Sequence, residues 1–227
     1  MLTQIKGLHH VTAIAGGAQA NSDFFTKTLG LRRVKKTVNF DAPDTYHLYY
    51  GDETGTPGTV MTYFPFAGVR RGRPGTGEVA TTAFSVPRGA LDWWQTRLTE
   101  HGVGGLQRGT RFGAPVLAFS GPDGDGFALV ETDDDSRSPW TGGGVPRDVA
   151  IRGFHSADLR LDARGADATA DLLRFMGYAD DDRDGTVRRL RIPGGNDAQV
   201  IDLSPVEAPV AGQGAGSVHH IAFAVED

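Results

Sequence analysis

The chain has 227 residues, 39% hydrophobic and 22% charged, with 23 basic against 28 acidic side chains, a formal net charge of -5 and no cysteine. That balance describes an ordinary globular protein of one large or two small domains. It speaks against a nucleic-acid binder, which needs basic surface, and it excludes disulfides, thiolate metal sites and a cysteine nucleophile.

The first strand expected is GLHHVTAIA, Gly7 to Ala15, whose apolar and polar side chains alternate with the period of a half-buried strand. NSDFFTKTLG follows with a helical pattern through Phe24, Phe25 and Leu29 that stops at Gly30, and Ser22 and Asp23 are N-cap candidates. Short strands come next in RRVKKTVNF and TYHLYYGD and, after a Pro-Gly turn, from Thr59 to Phe64. The order then returns. ATTAFSVP from Ala80 leads to a helix with Leu91, Trp94 and Leu98 on one face and Gly102 at its end, then to the paired strands of PVLAFSGPDGDGFALVE. FHSADLRL from Phe154 leads to a helix with Leu172, Phe175 and Met176 turned inward and Gly177 at its end, then to GTVRRLRIPGGNDAQVIDL. HHIAFAVED from His219 begins the order a fourth time.

With His10, Thr81, His155 and His220 as equivalent positions, the repeats are spaced by 71, 74 and 65 residues. The expected fold is therefore α+β, built of tandem βαβββ modules at 1–66, 78–133 and 149–204, with the first strand of a fourth at 217–227. AGVRRGRPGTG, from Ala67, and DDDSRSPWTGGGVPRD, from Asp133, read as solvated connectors. No apolar run approaches the roughly 18 residues of a membrane span, and MLTQIKGLHH lacks a signal-peptide core, so a cytoplasmic location without membrane or nucleic-acid partners is expected.

Such modules with a histidine on the first strand resemble the vicinal oxygen chelate superfamily of glyoxalase I, extradiol dioxygenases and antibiotic-resistance proteins. The blocks GLHHVTAIAG, RRVKKTVNFD, YHLYYGDETGTPGTVMTYFP, GTRFG, RGFHS and HHIAFAVED are similar to those of the ring-cleaving dioxygenases that act on hydroquinones and chlorohydroquinones, along the whole chain. The resemblance implies Fe(II) held by two histidines, matched here by His10 and His220, and by a glutamate on the last strand of module four. Repeat spacing puts that carboxylate beyond Asp227, so the chain is expected to be shorter than its family and its metal site incomplete. The resemblance also joins modules through their first strands, which pairs modules two and three and sets the terminal strand beside the first.

Two neutral imidazoles and a carboxylate with open positions suit non-haem Fe(II) that must bind substrate oxygen and dioxygen. Thr12 shares the strand face of His10 and is a candidate to hydrogen-bond a reacting oxygen. His9 and His219 should face the other way unless a bulge intervenes, and the resemblance sets them beside the ligands. His155 aligns with His10 in module three, with Asp202 near the closing-strand carboxylate position; module two offers only Thr81 and Ala128, so a structural or vestigial role is expected there. Tyr63 takes the carboxylate position of module one and would line the pocket. Glu131 should face solvent, His47 should be packed or hydrogen-bonded, and Trp93 and Trp94 should be core or interface.

The function expected is an Fe(II)-dependent extradiol-type ring-cleaving dioxygenase acting with dioxygen on a small hydroquinone-like aromatic, in an incomplete and weakly active form. The rivals are a glyoxalase-type metal-dependent isomerase and a non-catalytic small-molecule binding protein of the same fold. Sheet surface left bare where module four belongs would favour a homo-oligomer.

Overall fold

The first alternating run forms β1 (Ile5–Ala15), with Leu8, Val11, Ala13 and Ala15 turned to the core. The computed structural model describes residues 2–226, and its elements run strand, helix and three strands three times, then one strand more. After β1 come α1 (Ala18–Asp23), continued as a π-helical turn over Phe24–Thr28, then β2 (Arg32–Val38), β3 (Tyr46–Gly51) and β4 (Val60–Pro65). The second round is β5 (Glu78–Pro87), α2 (Leu91–Glu100), β6 (Gln107–Arg111), β7 (Ala114–Ser120) and β8 (Gly126–Thr132). The third is β9 (Gly153–Leu161), α3 (Ala163–Phe175), β10 (Ala179–Asp184), β11 (Val187–Arg191) and β12 (Val200–Pro205), and β13 (Val218–Val225) follows.

These strands make a five-stranded sheet, β13-β1-β4-β3-β2, and an eight-stranded sheet, β10-β11-β12-β9-β5-β8-β7-β6. Each round's first strand runs parallel to its closing strand: β1 with β4, β5 with β8, β9 with β12. First strands then meet antiparallel, β5 beside β9 and β13 beside β1. Ile221 and Phe223 of β13 pack on the core, whereas Val225, two residues further on, is 59% exposed. Phe24 and Phe25 from the π turn lie under Tyr50, Tyr63 and Phe127 and so link the two sheets, with Phe25 stacked on Tyr50 at 4.8 Å and Phe24 5.9 Å from Phe127. Each such ring contributes roughly 1.5–3 kcal/mol on full burial.

Gly30, Gly102 and Gly177 have φ of 70°, 69° and 101°, as helix-ending glycines require. Other expectations give way. Helix α1 starts at Ala18, so Ser22 and Asp23 lie inside it, and Ser22 instead accepts a hydrogen bond from Arg33 at 3.2 Å. Leu172 and Phe175 of α3 are each 57% exposed, because the helix packs through Ala166, Ala170 and Leu173, whereas Met176, just past its end, lies partly buried against the core. The 67–77 connector is not free in solvent: Arg71, Arg73 and Thr76 bridge to Ala215, Gly212 and Val210. Glu131 accepts from the Leu91 N–H at 3.1 Å and so caps α2 instead of facing solvent. Trp94 is buried, with its indole N–H on the Val149 carbonyl at 2.7 Å. Among the described residues no helix is long and apolar enough to cross a membrane.

Candidate active site

The pairing of β1 with β13 skips Lys6 near the start of β1 and two histidines further along: His9, between Leu8 opposite Phe223 and His10 opposite Ala222, and His219, between Thr12 opposite His220 and Ala13 opposite Val218. A bulge inserts a residue and re-aims its neighbours. Both histidine pairs therefore sit at a bulge, and His10 and His220 come together across the two strands, Nε2 to Nε2, at 3.3 Å with rings at 78°. Two imidazoles bound side by side to one metal at about 2.1 Å would hold their nitrogens roughly 3 Å apart. His10 is kept neutral, its pKa lowered to about 4 by burial first and then by His220, His9 and His47. His220 is lowered too, by burial and then by His219.

Behind each of these rings stands the bulged neighbour. His9 and His10 share a contact between Nδ1 atoms at 3.0 Å, and His219 and His220 share the same contact at 2.8 Å. With Nε2 of His10 and His220 unprotonated, each Nδ1–H donates to the neighbouring imidazole, which fixes tautomer and ring orientation as the outer partners of metal-binding histidines do. Sequence parity alone turned His9 and His219 away; the bulges bring them back.

Thr12 is fully buried on the same face, its hydroxyl 3.0 Å from His220 Nε2 and 2.7 Å from the Thr62 hydroxyl. Thr62 lies directly opposite Thr12 on β4. It is Thr62, not Tyr63, that holds the closing-strand position of the site. Tyr63 is fully buried on the core side of β4 and donates to Asp125, so the pocket-lining role expected for it is corrected. His47 on β3 reaches Thr62 with Nε2 at 3.0 Å and Tyr49 with Nδ1 at 2.7 Å. The Phe64 ring stands between His47, 4.3 Å away, and His219, 5.8 Å away, giving the face an aromatic wall. A cleft of about 230 Å³ opens beside His219 and His220, bordered by Val79, Leu159 and Leu161.

The pairing of β5 with β9 repeats the register of β13 with β1. Ala80 and His155 are the skipped residues, Thr81 faces Asp158, and Ala83 faces Ser156. Ser156 therefore holds the place of His10 and His155 that of His9, one residue away from the sequence alignment. Asp158 replaces Thr12, and Asp202, opposite it on β12, replaces Thr62. No imidazole pair faces inward here. Arg189 instead grips Asp202 through two bonds of 2.8 and 2.9 Å, Arg111 meets Asp158 at 3.0 Å, and Ser204 donates to Asp158 at 2.6 Å, around a cavity of about 110 Å³. Each carboxylate is thus paired with a guanidinium group.

The sequence and the fold both have known counterparts. A family model for the Glyoxalase/Bleomycin resistance protein/Dioxygenase superfamily matches residues 7–129. The chain belongs to that superfamily. Chlorohydroquinone/hydroquinone 1,2-dioxygenase of Sphingobium indicum is 39% identical over 232 residues, covering 99% of this chain and 72% of that protein. MhqO of Bacillus subtilis (strain 168), assigned by name as a ring-cleaving dioxygenase, is 43% identical over 228 residues, with 100% and 72% covered. Among solved structures, a Bacillus subtilis protein assigned as a dioxygenase superposes with a TM-score of 0.90 at 44% identity, covering 97% of this chain and 70% of the other. Glyoxalase I from Zea mays shares the superfamily fold, with a TM-score of 0.71 at 15% identity, 98% of this chain and 75% of that one covered. The residues present fit two positions of a superfamily metal centre, because two neutral imidazoles converge at bonding separation. Among the described residues no group of three or more histidines and carboxylates gathers to complete it, and the glutamate expected beyond Asp227 lies outside them.

Proposed function

We propose that this chain acts as an Fe(II)-dependent, extradiol-type ring-cleaving dioxygenase on hydroquinone-like aromatics, in the cytoplasm, with dioxygen as co-substrate. The observation that carries the reading is the 3.3 Å approach of His10 and His220 from paired strands, joined to relatives named for ring cleavage. Fe(II), when bound, would supply a centre where a phenolic oxygen and dioxygen meet and exchange electrons. His10 and His220 would hold it, and His9 and His219 keep those rings in the binding tautomer. Thr12 presents a hydroxyl beside the same mouth, 3.0 Å from His220 Nε2, and would hydrogen-bond a reacting oxygen there. Phe64 and the His219 ring offer flat faces to an aromatic substrate, and the buried Thr12–Thr62 pair closes the floor of the site to water. The matched registers also support dividing the chain into modules at 1–66, 78–133 and 149–204 with a further first strand at 217–227.

A glyoxalase-type isomerase would want carboxylates from two modules, and Thr62 stands where module one would supply one. Protein loaded anaerobically with Fe(II) and mixed with hydroquinone and dioxygen should consume one dioxygen for each aromatic ring lost, followed by an oxygen electrode and the fall in aromatic absorbance. No uptake of dioxygen, with isomerisation of a hemithioacetal in its place, would overturn the dioxygenase reading in favour of the isomerase.

A further inference from the structure

Beside the two histidine pairs the site face carries one more imidazole, which metal binding leaves without a task. His47 is bonded at both nitrogens, to Tyr49 Oη at 2.7 Å through Nδ1 and to Thr62 Oγ1 at 3.0 Å through Nε2. Thr62 continues to Thr12 at 2.7 Å, and Thr12 to His220 Nε2 at 3.0 Å. Five groups from β3, β4, β1 and β13 thus form one unbroken line that ends in the space between His10 and His220. We propose that Tyr49, His47 and Thr62 are positioning residues, a one-way hydrogen-bond chain that holds the Thr12 hydroxyl as a donor aimed into that space. Its use rests on the dioxygenase reading; its direction does not.

The direction follows from what each group has to give. A neutral imidazole offers one N–H and one lone pair, and a hydroxyl one proton. His47 is neutral at ordinary pH, its pKa lowered to about 4 by burial first, then by His220 and Lys35. The groups around it are Tyr49 on its own strand, Lys35 on β2, Thr62 and Phe64 on β4, and His220 on β13. A phenol gives up its proton more readily than a neutral imidazole does, so the Tyr49 O–H donates to Nδ1. The single N–H of His47 then sits on Nε2 and donates to Thr62. Thr62, already accepting, passes its own proton to Thr12, and Thr12 donates onward. The far end fits the same order. When Nδ1–H of His220 points at His219, Nε2 has no proton and can only accept. If the lone pair of His220 is given to a metal, the Thr12 proton is left facing the mouth, where it stabilises negative charge developing on a substrate or dioxygen oxygen. A role for His47 limited to stacking on Phe64 would not select one tautomer.

Direction and use are tested separately. Long-range proton–nitrogen correlation NMR on the labelled, metal-free chain should show His47 with its proton on Nε2, and Tyr49→Phe should shift it to a mixture of tautomers. A proton on Nδ1 in the unsubstituted chain, or an even mixture there, would overturn the proposal. In Fe(II)-loaded protein turning over hydroquinone, the isosteric Thr62→Val should lower kcat at least about ten-fold with KM within about two-fold. His47→Leu should do the same, and His47→Gln should recover most of that loss, since its amide N–H stands the same number of bonds from the backbone. Unchanged kcat in Thr62→Val would also overturn it. If the unsubstituted chain consumes no dioxygen with hydroquinone, the dioxygenase reading fails, and the tautomer measurement alone decides the chain.

Discussion

Thr62 and Tyr63 are neighbours on β4 with opposite surroundings, and counting from the Pro-Gly turn assigned the wrong one to the site. Turn lengths differ between the repeats, so the offset from the turn does not fix strand parity; the opposition of Thr12 and Thr62 does. The same slip of one residue separates His155 from Ser156. Tyr63 instead meets a carboxyl with its own consequence. Asp125 is buried, accepts from Tyr63 through one oxygen, and has no partner for the other. Burial, its main cause, raises the Asp125 pKa to about 6 from an ordinary 3.8. The folded state then holds a proton that the unfolded chain releases between those values, so stability from this group is present at low pH and lost as pH rises through 6. At ~1.4 kcal/mol per pKa unit the loss amounts to at most about 3 kcal/mol. Asp125→Asn should gain stability relative to the parent chain when urea unfolding is compared at pH 4.5 and pH 7. The buried histidines have the opposite sign but contribute equally to both proteins; parallel changes in the two would contradict the assignment.

Elements were legible where periodicity is strong. The alternating strands, the α2 face of Leu91, Trp94 and Leu98, and the helix-ending glycines follow from local pattern. Bulges were not, because a skipped residue leaves no mark in an alternating run; the doubled histidines were the only trace, and without the bulges His9 and His219 turn away from the site. In α3 two faces competed, one with Leu172, Phe175 and Met176 and one with Ala166, Ala170 and Leu173. The second is the buried one, with Leu173 as its large side chain, while Leu172 and Phe175 stay exposed. Leu173→Ala should therefore cost about 2–5 kcal/mol in a urea melt, whereas Leu172→Lys and Phe175→Lys should stay within about 0.5 kcal/mol. The reverse order would mean that α3 packs through its other face.

At the scale of the molecule, one arrangement is used twice with different fillings. Where β5 meets β9, arginines and aspartates close the centre on themselves; where β13 meets β1, the same register brings the Nε2 atoms of His10 and His220 together. The resemblance to the superfamily, which joins modules through their first strands, made that pairing readable; the repeat showed only which strands are equivalent. The contents of the β5–β9 centre were less readable, because Arg111 and Arg189 lie on hairpin strands whose register no repeat motif marks. The shared His10–His220 site is the claim on which the functional reading turns, and counting imidazole nitrogens tests it most directly. Pulsed EPR of the chain loaded with one Cu(II) as a probe should resolve two coordinated imidazoles, falling to one in His10→Ala and to one in His220→Ala. Couplings unchanged in both variants would place the metal elsewhere and contradict a site shared between the first strand and β13.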